Sequence, residues 1–155
     1  RAINFKYHKS STVDIASPGG SAILEGLRDG RPQRWLTRLV ASPVPVSGLR
    51  STESSLLRAN FREMGFFDRV ERKLPLDQTG IIVQAVESGG AAGLAHLKAG
   101  DVIVRMGTQS IDGLDMIRPA LLEAARQSER IPFEIFRHGE ARIVHVERRW
   151  IPEMP

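Results

Sequence analysis

The chain has 155 residues, 41% of them hydrophobic and 26% charged, which is typical of one globular domain or two small ones. It has no cysteine, which excludes disulfides, thiol nucleophiles and cysteine-based zinc sites, and no apolar run approaches the length of a bilayer span. The formal charge of +4 comes from arginines dispersed along the chain, whereas a nucleic-acid binder clusters its basic residues, so nucleic acid is not an expected partner.

In the first third of the chain, "SPGGSAILEGLRDG" predicts a double-glycine turn at Gly19 and Gly20, then a short helix that stops at Gly30. The stretch "ASPVPVSG" indicates a loop or an extended connector, because its prolines and serines interrupt regular structure. Residues 52–64, "TESSLLRANFREM", are predicted as an amphipathic helix. The apolar side of that helix would consist of Leu56, Leu57, Ala59 and Phe61.

The remaining elements are better defined. "GIIVQAV" and "DVIVRMG" are short β-branched runs that predict buried strands, and between them "AAGLAHL" predicts one or two helical turns that end before Gly100. A longer helix is predicted from Asp115 to about Arg126. "IPFEIF" and "ARIVHVERR" predict two strands of a hairpin whose turn contains Gly139.

The chain resembles itself at a shift of seventy positions. "VDIASPGGSAILEGLRDG" then lies on "VQAVESGGAAGLAHLKAG" with seven identities in eighteen positions. Both stretches are predicted as a strand, a double-glycine turn, a short helix and a glycine stop. This suggests two copies of one supersecondary unit.

The stretch "GIIVQAVESGGAAGLAHLKAGDVIVRMGTQSIDGLDMIRPALL" resembles a PDZ domain of the bacterial HtrA/Deg type, and "LKAGDVIVRMG" is its most specific part. Two positions depart from the family pattern: His96 stands where glycine is usual, and Met106 where asparagine is frequent. The resemblance implies an α+β fold, a permuted PDZ-like, partly open β-barrel or sandwich with two helices.

Three segments are expected on this basis. Residues 59–150 would form the PDZ domain and residues 151–155 a tail. Residues 1–58 would be either an incomplete PDZ-like copy, in which Trp35 anchors the packing, or an unrelated extension. Because the chain begins at Arg1 rather than at methionine, we expect a fragment whose targeting segment has been removed.

The resemblance also implies where a peptide binds. PDZ domains of this type hold a ligand at a short loop, hydrophobic-Gly-hydrophobic, which begins the groove strand, and "REMGFF" matches that loop. Backbone N–H groups turned inward around a glycine form a nest for a terminal carboxylate, and a nearby arginine adds a charged contact. The peptide would add as a strand beside Phe66 to Asp68, against the helix at 115–126. The candidate peptide-binding residues are Arg62, Met64, Gly65, Phe66, Phe67, Ile117 and Leu121.

Other interpretations of these residues stay open. The triplet can be a bend before a core strand, and the two residues on the helix, Ile117 and Leu121, are as readily core as pocket. "SPGGSA" also resembles the oxyanion loop of ClpP-type serine peptidases. Such an enzyme needs a nucleophilic serine on a second glycine-flanked turn and a histidine, but no G-x-S-x-G follows and spacing selects no histidine partner.

The expected function is recognition of protein C-termini or unfolded segments by carboxylate capture and strand addition. The resemblance implies a regulatory or substrate-binding region of an HtrA-like serine protease, located in the periplasm or cell envelope of a bacterium. The alternative is an adaptor or scaffold PDZ domain of a complex without a protease, and a small serine hydrolase is a remote third. No catalytic residue, cofactor, metal or membrane span is expected in this chain.

Overall fold

The computed structural model describes residues 19–41 and 43–152. By contacts the chain divides into two units, residues 1–42 and residues 43–155. The boundary predicted at 58/59 therefore lies inside the larger unit, because residues 51–54 pair with the strand that follows them.

The smaller unit contains an antiparallel hairpin of β1 (Ser21–Arg28) and β2 (Arg31–Arg38). The connecting residues Asp29 and Gly30 have φ values of 53° and 77°, the left-handed conformations that a two-residue hairpin turn requires. The guanidinium of Arg28 lies 5.5 Å from the ring centroid of Trp35.

The short helix predicted in this segment is wrong, since "SAILEGLR" is strand β1. The helix was predicted because this segment resembles residues 83–100. The Asp-Gly turn and the strand that follows it favour a hairpin instead. The strand predicted at Val13 lies outside the described residues. The interpretation of the segment as an incomplete PDZ-like copy stays a prediction.

In its described residues, the larger unit is a seven-stranded sheet with three α-helices. Its elements are β3 (Ser51–Ser54), β4 (Ala59–Glu63), α1 (Phe66–Glu71), β5 (Ile81–Val86), α2 (Ala91–Leu94), β6 (Val102–Met106), β7 (Gln109–Ser110), α3 (Ile117–Gln127), β8 (Arg130–Arg137) and β9 (Glu140–Glu147). The strand order is β3-β4-β5-β6-β8-β9, with β7 paired to β6 and all neighbours antiparallel. Since β3 and β9 are edges of this sheet, it is not a closed barrel.

The core lies between the sheet and α3. Phe61, Phe133 and Ile103 are fully buried, and α3 presents to them a stripe of residues spaced by three and four positions. The buried residues of the stripe are Ile117, Ala120, Leu121, Ala124 and Ala125. The α+β class and the partly open sheet are confirmed; helix α1 is additional to the two predicted helices.

The helix predicted over residues 52–64 is wrong. The segment is the β3–β4 hairpin, with a four-residue turn in which Arg58 has a φ of 54°. Along β4 burial alternates: Ala59 and Phe61 are inside and Asn60 is exposed, a period of two. Leu56 and Leu57 also reach the core, but from the turn. The apolar residues therefore fitted a helical spacing without forming a helix.

The later predictions are confirmed. The β8–β9 hairpin turns at His138 and Gly139, both with positive φ, and Gly100 has a φ of 92° where the stop was predicted. His96 has a φ of 60°, a left-handed conformation that suits glycine, the residue usual in the family at this position. Among the described helices, none combines the length and the hydropathy needed to cross a membrane.

Candidate functional site

The structure places the seven predicted peptide-binding residues in three different surroundings. Arg62 is the penultimate residue of strand β4, and Met64 and Gly65 connect that strand to α1. Phe66 and Phe67 lie in the first turn of α1, and Ile117 and Leu121 lie on the buried face of α3. The first five are neighbours in space because they are neighbours in sequence. The last two are separated from them and belong to the core.

Arg62 and Gly65 do hold a carboxylate, and it is the side chain of Asp68. The Arg62 guanidinium donates to both carboxylate oxygens at 2.7 and 2.6 Å, and the Gly65 N–H donates to Oδ2 at 2.9 Å. Arg72 adds a longer contact of 3.3 Å to Oδ1. The carboxyl of Asp68 is only 2% exposed. Of the donors proposed for a ligand carboxylate, the Gly65 N–H and the Arg62 guanidinium are thus already occupied.

The ionisation of Asp68 reflects two opposing effects. Burial is the largest effect and raises the pKa of its carboxyl. The hydrogen bonds from Arg62 and from the Gly65 N–H, together with the positive charges of Arg62 and Arg72, outweigh burial, so the pKa lies below its ordinary value. The same contact raises the pKa of Arg62. Asp68 is therefore an anion in the folded protein at neutral pH, and Arg62 is its counterion.

The strand predicted at Phe66 to Asp68 is wrong, because these residues begin helix α1. Asp68 is the third residue of the helix, and its bond to the Gly65 N–H satisfies a donor that a helix start leaves free. Phe66 and Phe67 pack edge to face with ring centroids 5.6 Å apart, and they remain 41% and 47% exposed.

The remaining predicted residues are buried. Met64 packs in a small cluster with Leu74, Ile82 and Val102. Ile117 is 4% exposed and Leu121 is fully buried, so of the two interpretations left open for these residues, the structure places both in the core.

Residues 55–58 form the loop that begins β4, the strand paired with β5. The sequence predictions did not include this loop. Its N–H groups at Leu57 and Arg58 donate to the Oγ and the carbonyl oxygen of Ser54 at 3.3 and 2.7 Å. Its carbonyl groups accept from Glu87 and Ala92, both at 3.0 Å. The sequence signal for this arrangement was the alternation of apolar Ala59 and Phe61 with polar Asn60, which is typical of a strand.

The outer side of β4 is covered by β3. Ser51 lies opposite Arg62 and Ser54 opposite Ala59, and the Glu63 N–H donates to the carbonyl oxygen of Arg50 at 2.9 Å. The Arg50 side chain binds the carboxylate of Glu63 through Nε at 2.7 Å. This hydrogen bond lowers the pKa of Glu63. On this side of the sheet the edge strand is consequently β3.

The register determines which backbone groups of β3 remain available. Residues 50 and 63 form a hydrogen-bonded pair, and such pairs alternate with non-bonded pairs along an antiparallel ladder. Thr52 and Ser54 therefore direct their N–H and C=O groups towards β4. Ser51 and Glu53 direct theirs away from the sheet, and in the described part of the chain no strand pairs with this side.

No group of three histidine, aspartate or glutamate side chains in residues 19–41 and 43–152 is arranged to hold a metal ion. The chemistry that the site offers is hydrogen bonding from an open strand edge.

Comparison with known proteins agrees with this fold. Residues 48–147 match the model of the PDZ domain family, from the residues before β3 to the end of β9. The chain therefore belongs to the PDZ family.

Two curated relatives are serine proteases Do-like HtrA of Lactococcus lactis, from subsp. lactis (strain IL1403) and subsp. cremoris (strain MG1363). They are 27% and 26% identical over 136 residues, which are 83% of this chain and 31% of each relative. The chain thus spans about a third of their length. Among solved structures, the HtrA3 PDZ domain bound to a phage-derived ligand (FGRWV) shares 16% identity and covers 64% of this chain and 88% of that one, with a TM-score of 0.47.

Proposed function

We propose that this PDZ domain binds extended segments of other proteins, either C-termini or exposed strands, by adding them to its sheet. One observation carries the proposal: in a chain of the PDZ family, the sheet ends on an edge strand, β3, whose outer backbone groups have no partner strand in the described residues. An extended peptide satisfies such groups with its own main chain, and this gives affinity that depends little on side chains.

Carboxylate capture is the second part of the proposal. The donors at Arg62 and Gly65 suit a carboxylate, but a peptide C-terminus would have to replace the side chain of Asp68 there. Binding through the carboxylate is therefore expected to compete with the start of α1, whereas binding of an internal strand is not.

We also propose that the domain is the regulatory or substrate-binding region of an HtrA-like serine protease of the bacterial cell envelope. The two HtrA relatives support this assignment, although they are much longer than this chain. The alternative is an adaptor domain of a complex without a protease, and the remaining sequence of the parent protein distinguishes the two.

The test is selection from a library of peptides with random free C-termini, followed by measurement of each hit with its C-terminus amidated. Hits that lose about tenfold or more in affinity on amidation establish carboxylate capture. Hits that retain their affinity establish strand binding alone. If folded protein selects no peptide from the library, the proposal that this domain binds peptides is wrong.

A substitution at Gly65 locates carboxylate capture. We expect Gly65→Val to lower the affinity for peptides whose binding depends on the carboxylate, because a side chain at this position blocks close approach of the carboxylate. The fold should stay intact, because the backbone at Gly65 is extended and the added Cβ meets mainly the movable Cδ1 of Leu49, at 2.9 Å. Gly89→Val is the matched control, since its Cβ has only the tip of Arg58 nearby, at 3.9 Å. Unchanged affinity of the Gly65 variant would exclude this loop as the carboxylate site.

A further inference from the structure

We infer that β3 is a removable cover: in the resting chain it occupies the edge of β4, and a partner segment binds to β4 in its place. The inference rests on the proposed peptide-binding function and specifies the strand that the partner pairs with and how access to that strand is regulated. An extended segment can join this side of the sheet either outside β3 or directly on β4 after β3 has left. The contacts of β3 favour the second position.

β3 lies on β4 as an added peptide would. It runs antiparallel to β4, with Ser54 opposite Ala59 at the start of β4 and Ser51 opposite Arg62 near its end. The opposite side of β4 is paired with β5. Strand addition needs an unpaired strand edge, so β4 has none to offer until β3 leaves.

The loop that begins β4 is also engaged by β3. Within residues 55–58, the Leu57 N–H donates to Oγ of Ser54 at 3.3 Å, and the Arg58 N–H donates to the carbonyl oxygen of Ser54 at 2.7 Å. Both acceptors belong to the last residue of β3. Release of Ser54 would therefore free two backbone donors at the start of β4 together with the strand edge.

At its other end β3 reaches the beginning of the long helix. Arg50, the residue before β3, binds Glu63 through Nη2 at 2.6 Å and lies 3.7 Å from Asp115, two residues before α3. β3 thus extends along β4 from the loop at 55–58 towards the start of α3. A partner segment in this position would run beside that helix start.

The contacts of β3 are weak enough for exchange. Its four side chains are polar, and none of them is buried. The Arg50 side chain is 64% exposed, and exposed ion pairs contribute little to stability. Leu56 and Leu57 are buried, but they belong to the turn at 55–58 and not to β3. The turn and β4 can therefore stay in the core while β3 detaches.

A partner with larger apolar side chains gains burial that β3 lacks. Cross-strand neighbours share one face of a sheet, so Thr52 and Ser54 lie on the same face as Phe61 and Ala59, which belong to the core. Thr52 is exposed there, and Ser54 is half-buried. Apolar side chains in these two positions would bury more apolar surface than β3 does. Extended segments with alternating apolar residues, such as those of unfolded proteins, are the partners that fit.

The cover lowers the affinity for a partner without abolishing binding. A tethered strand competes at a high effective concentration, and the apparent dissociation constant rises in inverse proportion to the fraction of chains in which β3 is released. If β3 is in place in about nine chains in ten, affinity is about tenfold lower than for uncovered β4. A change that weakens β3 should therefore raise the affinity, whereas damage to a binding surface lowers it.

Thr52→Pro tests the cover, with Glu53→Pro as the matched control. Proline at 52 removes an N–H that is directed towards β4, whereas proline at 53 removes one that is directed away from the sheet. With the selected library peptides as probes, we expect Thr52→Pro to bind about tenfold more tightly than the wild-type chain and Glu53→Pro to bind with unchanged affinity. Unchanged or lower affinity of Thr52→Pro would overturn the inference. A loss of affinity in Glu53→Pro would place the segment outside β3 and overturn it as well.

Amide hydrogen exchange on the wild-type chain provides a test that does not depend on any variant folding. On addition of a selected peptide, the amides of Thr52 and Ser54 should lose protection because their ladder to β4 is broken, while the Phe61 amide stays protected by the peptide. Protection of Thr52 and Ser54 that persists on binding would overturn the inference, and new protection at Ser51 and Glu53 would then place the segment outside β3. A library that yields no binding peptide for the wild-type chain or for Thr52→Pro is the separate failure of the proposed function.

Discussion

Among individual residues, Asp68 has the largest consequence for the site. Its carboxylate lies only a few positions along the chain from the Arg62 and Gly65 donors, and it reaches them as soon as α1 forms its first turn. Local chain closure costs little entropy, so an internal carboxylate at this distance has an advantage over one from a separate molecule. A motif suited to a ligand is thus occupied by the chain itself.

Asp68→Asn should reduce stability in a pH-dependent way. The pKa of the Asp68 carboxyl is lowered in the folded state, so its contribution is fully present above the ordinary value of about 4 and is lost as pH falls through the lowered pKa. We expect the variant to be less stable by about 3 kcal/mol at pH 7, since a buried ion pair is broken, and the difference to shrink below pH 4. Urea unfolding between pH 2 and 7 measures this, with the exposed Glu71→Gln as control. A difference independent of pH would contradict the assigned ion pair.

Among the elements, the β3–β4 hairpin depends on its contact with α2. The Ala92 N–H donates to the carbonyl oxygen of Leu57 at 3.0 Å, and this brings the turn of the hairpin against Gly90. A Cβ at position 90 would clash with the Cβ of Arg58 and lie 3.1 Å from the carbonyl oxygen of Leu57. The second glycine of "SGG" is therefore required by close packing.

Gly90→Ala should destabilise the domain by about 1–3 kcal/mol, because the turn must move away from α2 to make room for the methyl group. Gly89→Ala is the matched control: its backbone φ is not positive, and its added Cβ has only a side-chain nitrogen of Arg58 nearby, at 3.9 Å. Chemical denaturation compares the two, and faster exchange of the Thr52 and Ser54 amides in Gly90→Ala would place the effect in the hairpin. Equal stability of both variants would argue against the packing described.

At the scale of the whole molecule, the unit formed by residues 43–155 contains the complete sheet, its helices and the entire family match. The hairpin of β1 and β2 belongs to the other unit and contributes no strand to this sheet. An independent hydrophobic core is what defines a domain able to fold alone.

Residues 43–155 expressed alone should therefore fold cooperatively and keep the urea midpoint of the same transition in the full chain. The measurement is urea unfolding of both chains, together with an amide NMR spectrum in which the PDZ resonances superimpose. A chain that starts at residue 59, and so lacks β3, is the informative control, since it should be clearly less stable. A disordered 43–155 chain would show that the first unit is needed for the fold.

Much of this structure follows from local sequence. The turn at Gly139, the stop at Gly100, the helix α3 and the family motif "LKAGDVIVRMG" all depend on residues close together in the chain, and their predictions are confirmed. Local patterns suffice there because turn conformation and helical periodicity are properties of a few consecutive residues.

Only the tertiary structure decided the course of residues 51–68. Leu56, Leu57, Ala59 and Phe61 suit a helix or a strand by spacing, and pairing of β4 with β5, a strand some twenty residues further on, selects the strand. In the same way, Arg62 and Gly65 specify that a carboxylate binds, but the fold determines that it comes from Asp68. Both outcomes depend on which groups meet in space, and the sequence by itself determined only what those groups can do when they meet.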